Sequence, residues 1–190
     1  MREHIVSFTL LLALVACNTV KPIAENAVEK TDKAELVGKV SAGMPPIDTS
    51  TAIYELAVRE GVSYQDVVDS LNSIAIGKNF VNPANFPIAE HIKKRGIDPQ
   101  GVKEVHSYCN LSLGTEIFLD HPEFLVFAPC RIAIYEKPDN QGKPKLFIAL
   151  ARPTYDLKSI KNPTARAQKA AQDLETTLLE IIDKASKGDL

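Results

Sequence analysis

Two cysteines in the middle of the chain are the residues best suited to chemistry. Cys109 precedes Asn110, a plausible helix N-cap. Cys130 follows Pro129 and is followed by Arg131, at the start of a predicted strand. A thiol just ahead of a helix N-terminus is favoured as thiolate because free N–H groups carry partial positive charge, and the charge of a neighbouring Arg131 would add to this effect. We therefore expect Cys109 to ionise below about pH 8, and the pair to exchange disulfides, carry sulfane sulfur, undergo reversible oxidation or bind a small ligand.

Other interpretations of the two cysteines remain open. A disulfide between them would stabilise the domain by roughly 3 kcal/mol, if strand and helix start lie side by side. They could also be buried as small apolar residues in a module that only binds partners. A soft-metal or haem site would use His106, Cys109 and Cys130, with His121 as a further candidate, because thiolate with imidazole suits zinc or cuprous ions. Their spacing matches no standard zinc motif, so our primary interpretation includes no metal and no other cofactor.

The composition argues against several classes of function. At 190 residues, with 45% hydrophobic and 24% charged residues, the chain suits one globular domain with additional segments. A formal net charge of −2 provides no basic field for nucleic acid. No G-x-G-x-x-G, Walker A, H-E-x-x-H or G-x-S-x-G motif occurs. We therefore expect an accessory protein and not a stand-alone enzyme.

The N-terminus has the features of an export signal. The polar lead Met1–His4 is followed by the apolar run Ile5–Val15, which is too short to span a bilayer of ~30 Å. The run ends in LVAC at Cys17, which resembles a bacterial lipobox. This resemblance implies removal of residues 1–16, lipidation of Cys17 and anchoring at the periplasmic face of the cell envelope. The residue after Cys17 is Asn18, and not the Asp that signals retention in the inner membrane of enteric bacteria, so resemblance to that sorting rule favours the outer membrane. The alternative is a plain secreted protein.

The remaining chain divides into a tether and a domain. Residues 17–50 are polar and are predicted to form the lipid anchor and a flexible tether. Residues 51–187 carry strand and helix patterns that together favour an α+β two-layer domain. The predicted elements are a strand in Thr51–Arg59, a helix capped at Ser63, an extended piece around Phe80, a helix Ile88–Arg95, a strand Val102–Tyr108, a helix Leu111–Leu119, a strand path through Phe124–Ala128 and Arg131–Glu136, a hairpin loop Lys137–Lys145 leading to a strand that ends at Ala151, and a helix capped by Asn162 that ends near Lys187.

Several of these features resemble one bacterial family, known only as domain of unknown function 302. They are Tyr108–Asn110 ahead of a helix, Phe127–Glu136 with its Pro-Cys strand opening, and the closing amphipathic helix. The resemblance covers residues 51–187 and implies a TATA-binding-protein-like α+β fold, with a curved antiparallel sheet and helices packed on one side. It marks Cys109 and Cys130 as functional positions and leaves a homodimer open, but it supplies no activity.

The expected partners follow from the predicted location in the cell envelope. They are the membrane, through the lipid anchor on Cys17, a second copy of the chain, and an envelope protein of redox or sulfur metabolism. Nucleic acid is not among them, because the chain lacks a basic surface signature.

Overall fold

The computed structural model describes residues 44–190. The predicted signal peptide (1–16), the lipidation site Cys17 and the predicted tether up to residue 43 lie outside the described residues. Within residues 44–190, no helix combines the length and the apolar character needed to cross a membrane.

One antiparallel sheet forms the framework of the described chain. Its strands are β1 (Ile53–Ala57), β2 (Val81–Phe86), β3 (Lys103–Cys109), β4 (Cys130–Pro138) and β5 (Pro144–Ala151). They lie in the order β1-β5-β4-β3-β2, so that β4 is central. The sheet is not closed and the helices pack on one side of it, which confirms the predicted α+β class with an antiparallel sheet.

Side-chain caps mark the start of the three longest helices, α1, α3 and α5. The helices within residues 44–190 are α1 (Tyr64–Gly77), α2 (Ile88–Lys93), α3 (Leu111–Phe118), α4 (Pro153–Asp156) and α5 (Ala165–Lys187). At the start of α1, the Ser63 hydroxyl accepts from the Asp66 N–H, and the Asp66 carboxylate accepts from the Ser63 N–H. This capping box is the one that the sequence predicts.

The core lies between the sheet and helices α1 and α5. Side chains alternate along each strand, so every second residue faces the helices and the others form an open face. On α5, the whole predicted apolar stripe is buried, at a gain of about 1.5–3 kcal/mol for each Leu or Ile. Its members are Ala167, Ala170, Ala171, Leu174, Leu178, Ile181, Ile182 and Ala185.

The segment before Cys130 differs from its prediction. Phe124–Ala128 was expected to extend the central strand, but Pro122–Phe127 forms a 3₁₀ helix. In a 3₁₀ helix, residues three apart lie on the same side. Phe124 and Phe127 therefore pack together, with their ring centroids 5.3 Å apart, within a second small core. The strand begins only at Cys130, after the cis peptide bond between Ala128 and Pro129.

The N-cap of α5 is also different from the prediction. Thr164, and not Asn162, caps this helix, because the Thr164 hydroxyl accepts from the Ala167 N–H at 3.1 Å. Asn162 has φ 54°, which is left-handed, whereas an N-cap residue adopts extended backbone.

The domain begins earlier than the sequence predicts. The Tyr54 hydroxyl donates to the Pro45 carbonyl at 2.7 Å, and Lys158 Nζ donates to the Thr49 carbonyl at 2.6 Å. Met44 and Ile47 pack against the main core. Residues 44–50, predicted as part of the tether, therefore belong to the folded domain.

Candidate functional site

Strand register brings Cys109 and Cys130 to the same end of the sheet. Tyr108 on β3 lies directly opposite Cys130 on β4, and Cys109 is the next residue of β3. Both cysteines are free thiols, half-buried, and strand-terminal, since Cys109 ends β3 and Cys130 begins β4. The predicted pair is therefore assembled from two separate parts of the sequence.

The two thiols face different sides of the sheet. Tyr108 is 1% exposed and its hydroxyl donates to Asn72 Oδ1 on α1 at 3.0 Å, so it points to the helices. Cys130, opposite Tyr108, packs against the same core. Alternation places Cys109 on the open face. A disulfide between them would need a local shift of the strand ends, because side chains that point apart cannot be bridged directly.

Burial disfavours the thiolate at both positions. It raises the pKa of Cys130 to about 12, with further contributions from the negative charges of Cys109 and Asp156 and a small opposing one from Arg131. Burial also raises the pKa of Cys109. The expected ionisation of Cys109 below about pH 8 is therefore contradicted, because desolvation penalises the charged form of a thiol.

Asn110 has a structural role beside the thiols. Its Oδ1 accepts from the Leu113 N–H at 3.1 Å, which caps α3 as the sequence predicts. Its Nδ2 donates to the carbonyl of Lys78, just after α1, at 3.3 Å. Asn110 is 7% exposed, and its side-chain amide both accepts and donates a hydrogen bond. These bonds fix the direction of the chain after Cys109.

Arg131 lies on the open face, opposite Ser107 of β3, and is exposed. Its guanidinium is close enough to Asp156 to lower the pKa of that carboxyl, although burial is the larger influence and raises it. Asp156 acts in turn on Cys130. The charged surroundings of the buried thiol are thus an arginine and a carboxyl group, and sequence reasoning did not identify the carboxyl.

A buried ion pair holds Asp156 in place. Arg152 and Glu175 are 3% and 0% exposed, and Arg152 Nε donates to Glu175 Oε1 at 2.9 Å. Glu175 Oε2 also accepts from the Thr154 N–H at 2.9 Å, and Arg152 Nη1 donates to the Asp48 carbonyl at 2.7 Å. This network fastens α4, which ends at Asp156, onto α5 and onto the N-terminal segment.

The two candidate histidines are engaged within the fold. His106 is 1% exposed, and its Nε2 lies 3.2 Å from Glu104 Oε2, which also accepts from the Tyr64 hydroxyl at 2.5 Å. Burial lowers the pKa of His106, against the opposing effect of Glu104. His121 Nε2 accepts from the Thr164 N–H at 3.0 Å and so supports the start of α5.

The alternative metal site is not assembled. His106 is two residues from Tyr108 on β3 and so points to the helices, whereas alternation places Cys109 on the open face. Among residues 44–190, no group of three or more His, Cys, Asp or Glu side chains is arranged to hold a metal ion. The His106, Cys109 and Cys130 set therefore finds no support in the geometry.

Comparisons with known proteins agree with this fold. The chain is 38% identical over 80 residues to an uncharacterized protein of Aquifex aeolicus (strain VF5), a match that covers 42% of this chain. The match spans about half (49%) of the length of that curated relative. A crystal structure of an uncharacterized conserved protein DUF302 from Bacillus stearothermophilus aligns with a TM-score of 0.60 at 18% identity, covering 71% of this chain and 98% of that chain, and this likeness shows the fold. The family model described as "Domain of unknown function DUF302" matches residues 54–185, and the chain belongs to this family.

Proposed function

We propose that this protein is a lipid-anchored accessory factor of the bacterial cell envelope in which Cys109 and Cys130 form a reversible dithiol–disulfide couple. The observation that carries the proposal is the β3–β4 register, which brings two free thiols to adjacent strand ends. Both residues are terminal in their strands, where fewer ladder hydrogen bonds oppose the shift that a disulfide requires.

The raised pKa values favour a role as electron donor. Oxidants of the envelope owe their strength to a stabilised thiolate in the reduced form. Burial removes that stabilisation from Cys109 and Cys130, so their disulfide is the favoured state. In the proposed step, the two thiols lose two protons and two electrons and form one S–S bond. A protein disulfide of the partner accepts them and becomes two thiols.

The order of attack follows from accessibility. Cys109 faces the open side of the sheet, whereas Cys130 packs against the core. Cys109 therefore forms the mixed disulfide with the partner, and Cys130 resolves it. The lipobox at Cys17 supports the envelope setting, where an oxidised protein of redox or sulfur metabolism is a suitable partner.

A redox titration tests the proposal. The full chain, purified from cell envelopes, is equilibrated in glutathione buffers of increasing oxidised fraction and quenched with acid. It is then labelled with N-ethylmaleimide in guanidinium chloride, where both thiols are exposed, and analysed by intact mass. We expect one two-electron transition from doubly labelled to unlabelled protein, which Cys109→Ser abolishes. Two thiols that stay labelled in fully oxidised glutathione, or that change one at a time, would refute the couple. The same mass spectrum tests the anchor, since an unmodified Cys17 refutes lipidation.

A second candidate function is a non-catalytic interaction or dimerisation module. Large apolar residues on both edge strands are exposed: Ile53 by 61%, Val81 by 57% and Phe86 by 50%. A module of this kind binds equally well after Cys109→Ser. Sedimentation velocity at micromolar concentration tests self-association, because a dimer that persists in Cys109→Ser favours the dimerisation module and a monomer removes it.

A further inference from the structure

The buried thiol of Cys130 must lose a proton before it can attack a disulfide. With a pKa of about 12, only about one Cys130 thiol in 10⁵ is ionised at pH 7. Because the thiolate is the attacking species, an unassisted Cys130 would resolve a mixed disulfide slowly. A base beside the sulfur removes this limit, since it can take the proton as the sulfur attacks.

Asp156 lies beside Cys130 at the end of the sheet. The β4–β5 register extends to place Arg152 opposite Cys130. The Asp156 N–H donates to the Arg152 carbonyl at 3.0 Å, so α4 turns Asp156 back over the end of β5. The charge of Asp156 acts on Cys130, and the charge of Arg131 acts on Asp156, in agreement with this placement.

The Asp156 carboxylate is free to accept a proton. It is half-buried, and within residues 44–190 nothing donates a hydrogen bond to it and no basic side chain forms an ion pair with it. The Glu175 carboxylate, by contrast, accepts from Arg152 and Thr154. Burial raises the pKa of Asp156, with Arg131 opposing the rise and Glu175 adding to it, so this carboxylate holds a proton more readily than an exposed aspartate does.

The other titratable groups that act on Cys130 are not suited to this role. Among the described residues they are Cys109 from β3 and Arg131 from β4. In the mixed disulfide Cys109 has no free thiol, and the guanidinium of Arg131 has no acceptor. Asp156, from α4, is therefore the acceptor that this end of the sheet offers.

We propose that Asp156 accepts the proton of Cys130 when Cys130 resolves the mixed disulfide on Cys109. The Cys130 sulfur bonds to the Cys109 sulfur, and the bond between Cys109 and the partner breaks. The partner sulfur leaves with the electron pair and takes a proton from water. This inference rests on the proposed redox function and assigns the proton transfer that its second step requires.

A chromogenic disulfide, 5,5′-dithiobis(2-nitrobenzoate), tests this role. It is added in equimolar amount to the full chain carrying Cys17→Ser, in which Cys109 and Cys130 are the remaining thiols. Cys109 releases one thionitrobenzoate at a rate that depends on reagent concentration, and attack by Cys130 then releases a second at a rate that does not. Asp156→Asn should slow the second phase at least about tenfold at pH 7 and change the first less than about twofold. Asp156→Glu keeps a carboxylate and should recover most of the lost rate.

The pH profile of the second phase distinguishes proton transfer from a structural role. In the parent chain the rate should change less than about twofold between about pH 6 and pH 8, because the proton passes to Asp156 within the protein. In Asp156→Asn it should rise about tenfold per pH unit, because the thiolate fraction of Cys130 then follows the solution pH. Asp139→Asn is the matched control, since Asp139 follows the opposite end of β4, about 30 Å away at the usual rise per residue.

The possible outcomes separate this inference from the redox function. A parent chain without a second phase refutes the dithiol couple and the inference with it. A second phase that Asp156→Asn leaves unchanged, or that Asp139→Asn slows equally, overturns the inference alone. A faster second phase in Asp156→Asn also overturns it, because a carboxylate that acts only through its charge raises the pKa of Cys130. If Asp156→Asn does not fold, as judged by far-ultraviolet circular dichroism, the parent profile decides: a tenfold rise per pH unit there overturns the inference.

Discussion

The reactivity of Cys130 is the most direct quantitative consequence of the structure. With a pKa of about 12, only about one Cys130 thiol in 10⁴ is ionised at pH 8. An ordinary thiol, with a pKa of about 8.5, is about one quarter ionised at that pH. Because the thiolate is the reacting species, iodoacetamide should alkylate Cys130 about three orders of magnitude more slowly in the folded protein than in the unfolded chain.

The assay uses a chain in which Cys130 is the remaining thiol, carrying Cys17→Ser and Cys109→Ser. Alkylation at pH 8 is followed by intact mass in buffer and in guanidinium chloride, which supplies the unfolded rate for the same residue. The rate in buffer should then rise about tenfold per pH unit as the pH increases towards 11, because the thiolate fraction grows in that proportion. The complementary chain, with Cys130→Ser, should also react more slowly when folded, since burial raises the pKa of Cys109.

A folded protein that alkylates at Cys130 as fast as the guanidinium sample would show that the thiol is not desolvated, and the reasoning from burial would fail. The pH profile distinguishes a desolvated thiol from a thiol that iodoacetamide cannot reach for steric reasons. A sterically hindered thiol of ordinary pKa reacts slowly at every pH and reaches a plateau above about pH 9, whereas a desolvated one continues to accelerate.

Three further predictions concern stability, measured by urea denaturation at stepped pH. The pKa of Cys130 in the folded state lies above its value in the unfolded chain. Its contribution to the free energy of unfolding is therefore complete below about pH 8.5 and declines as the pH rises towards 12. Cys130→Ala should remove that decline. Asp120 has a pKa of about 2, chiefly because Arg166 donates to it. The contribution of Asp120 to the free energy of unfolding is present above the unfolded pKa of about 4 and is lost as the pH falls towards 2. Asp120→Asn should therefore reduce the loss of stability between pH 4 and pH 2. Glu175→Ala leaves Arg152 buried without its partner and should cost about 3–5 kcal/mol, whereas an unchanged urea midpoint would show that this pair does not support the fold.

Local features of the sequence predict much of the fold because they act within a few residues. The capping box at Ser63 and the N-cap at Asn110 depend on side chains three residues or fewer from the helix start, and both are present. The hairpin is equally local, since the predicted loop Lys137–Lys145 joins residues that do pair. Periodicity failed at Pro122–Phe127, where a short apolar run suits a strand and a 3₁₀ helix equally well.

The environment of the thiols could be predicted only in part. The hairpin register, in which Ile132 lies opposite Leu150, extends to place Arg152 opposite Cys130, so a residue just after Arg152 could have been expected near this thiol. That residue is Asp156. The direction of the shift in the Cys109 pKa could not be predicted, because it depends on how much protein surrounds the thiol once β2 has paired with β3, where Val81 lies opposite Cys109. Burial of this kind is set by contacts distant in sequence.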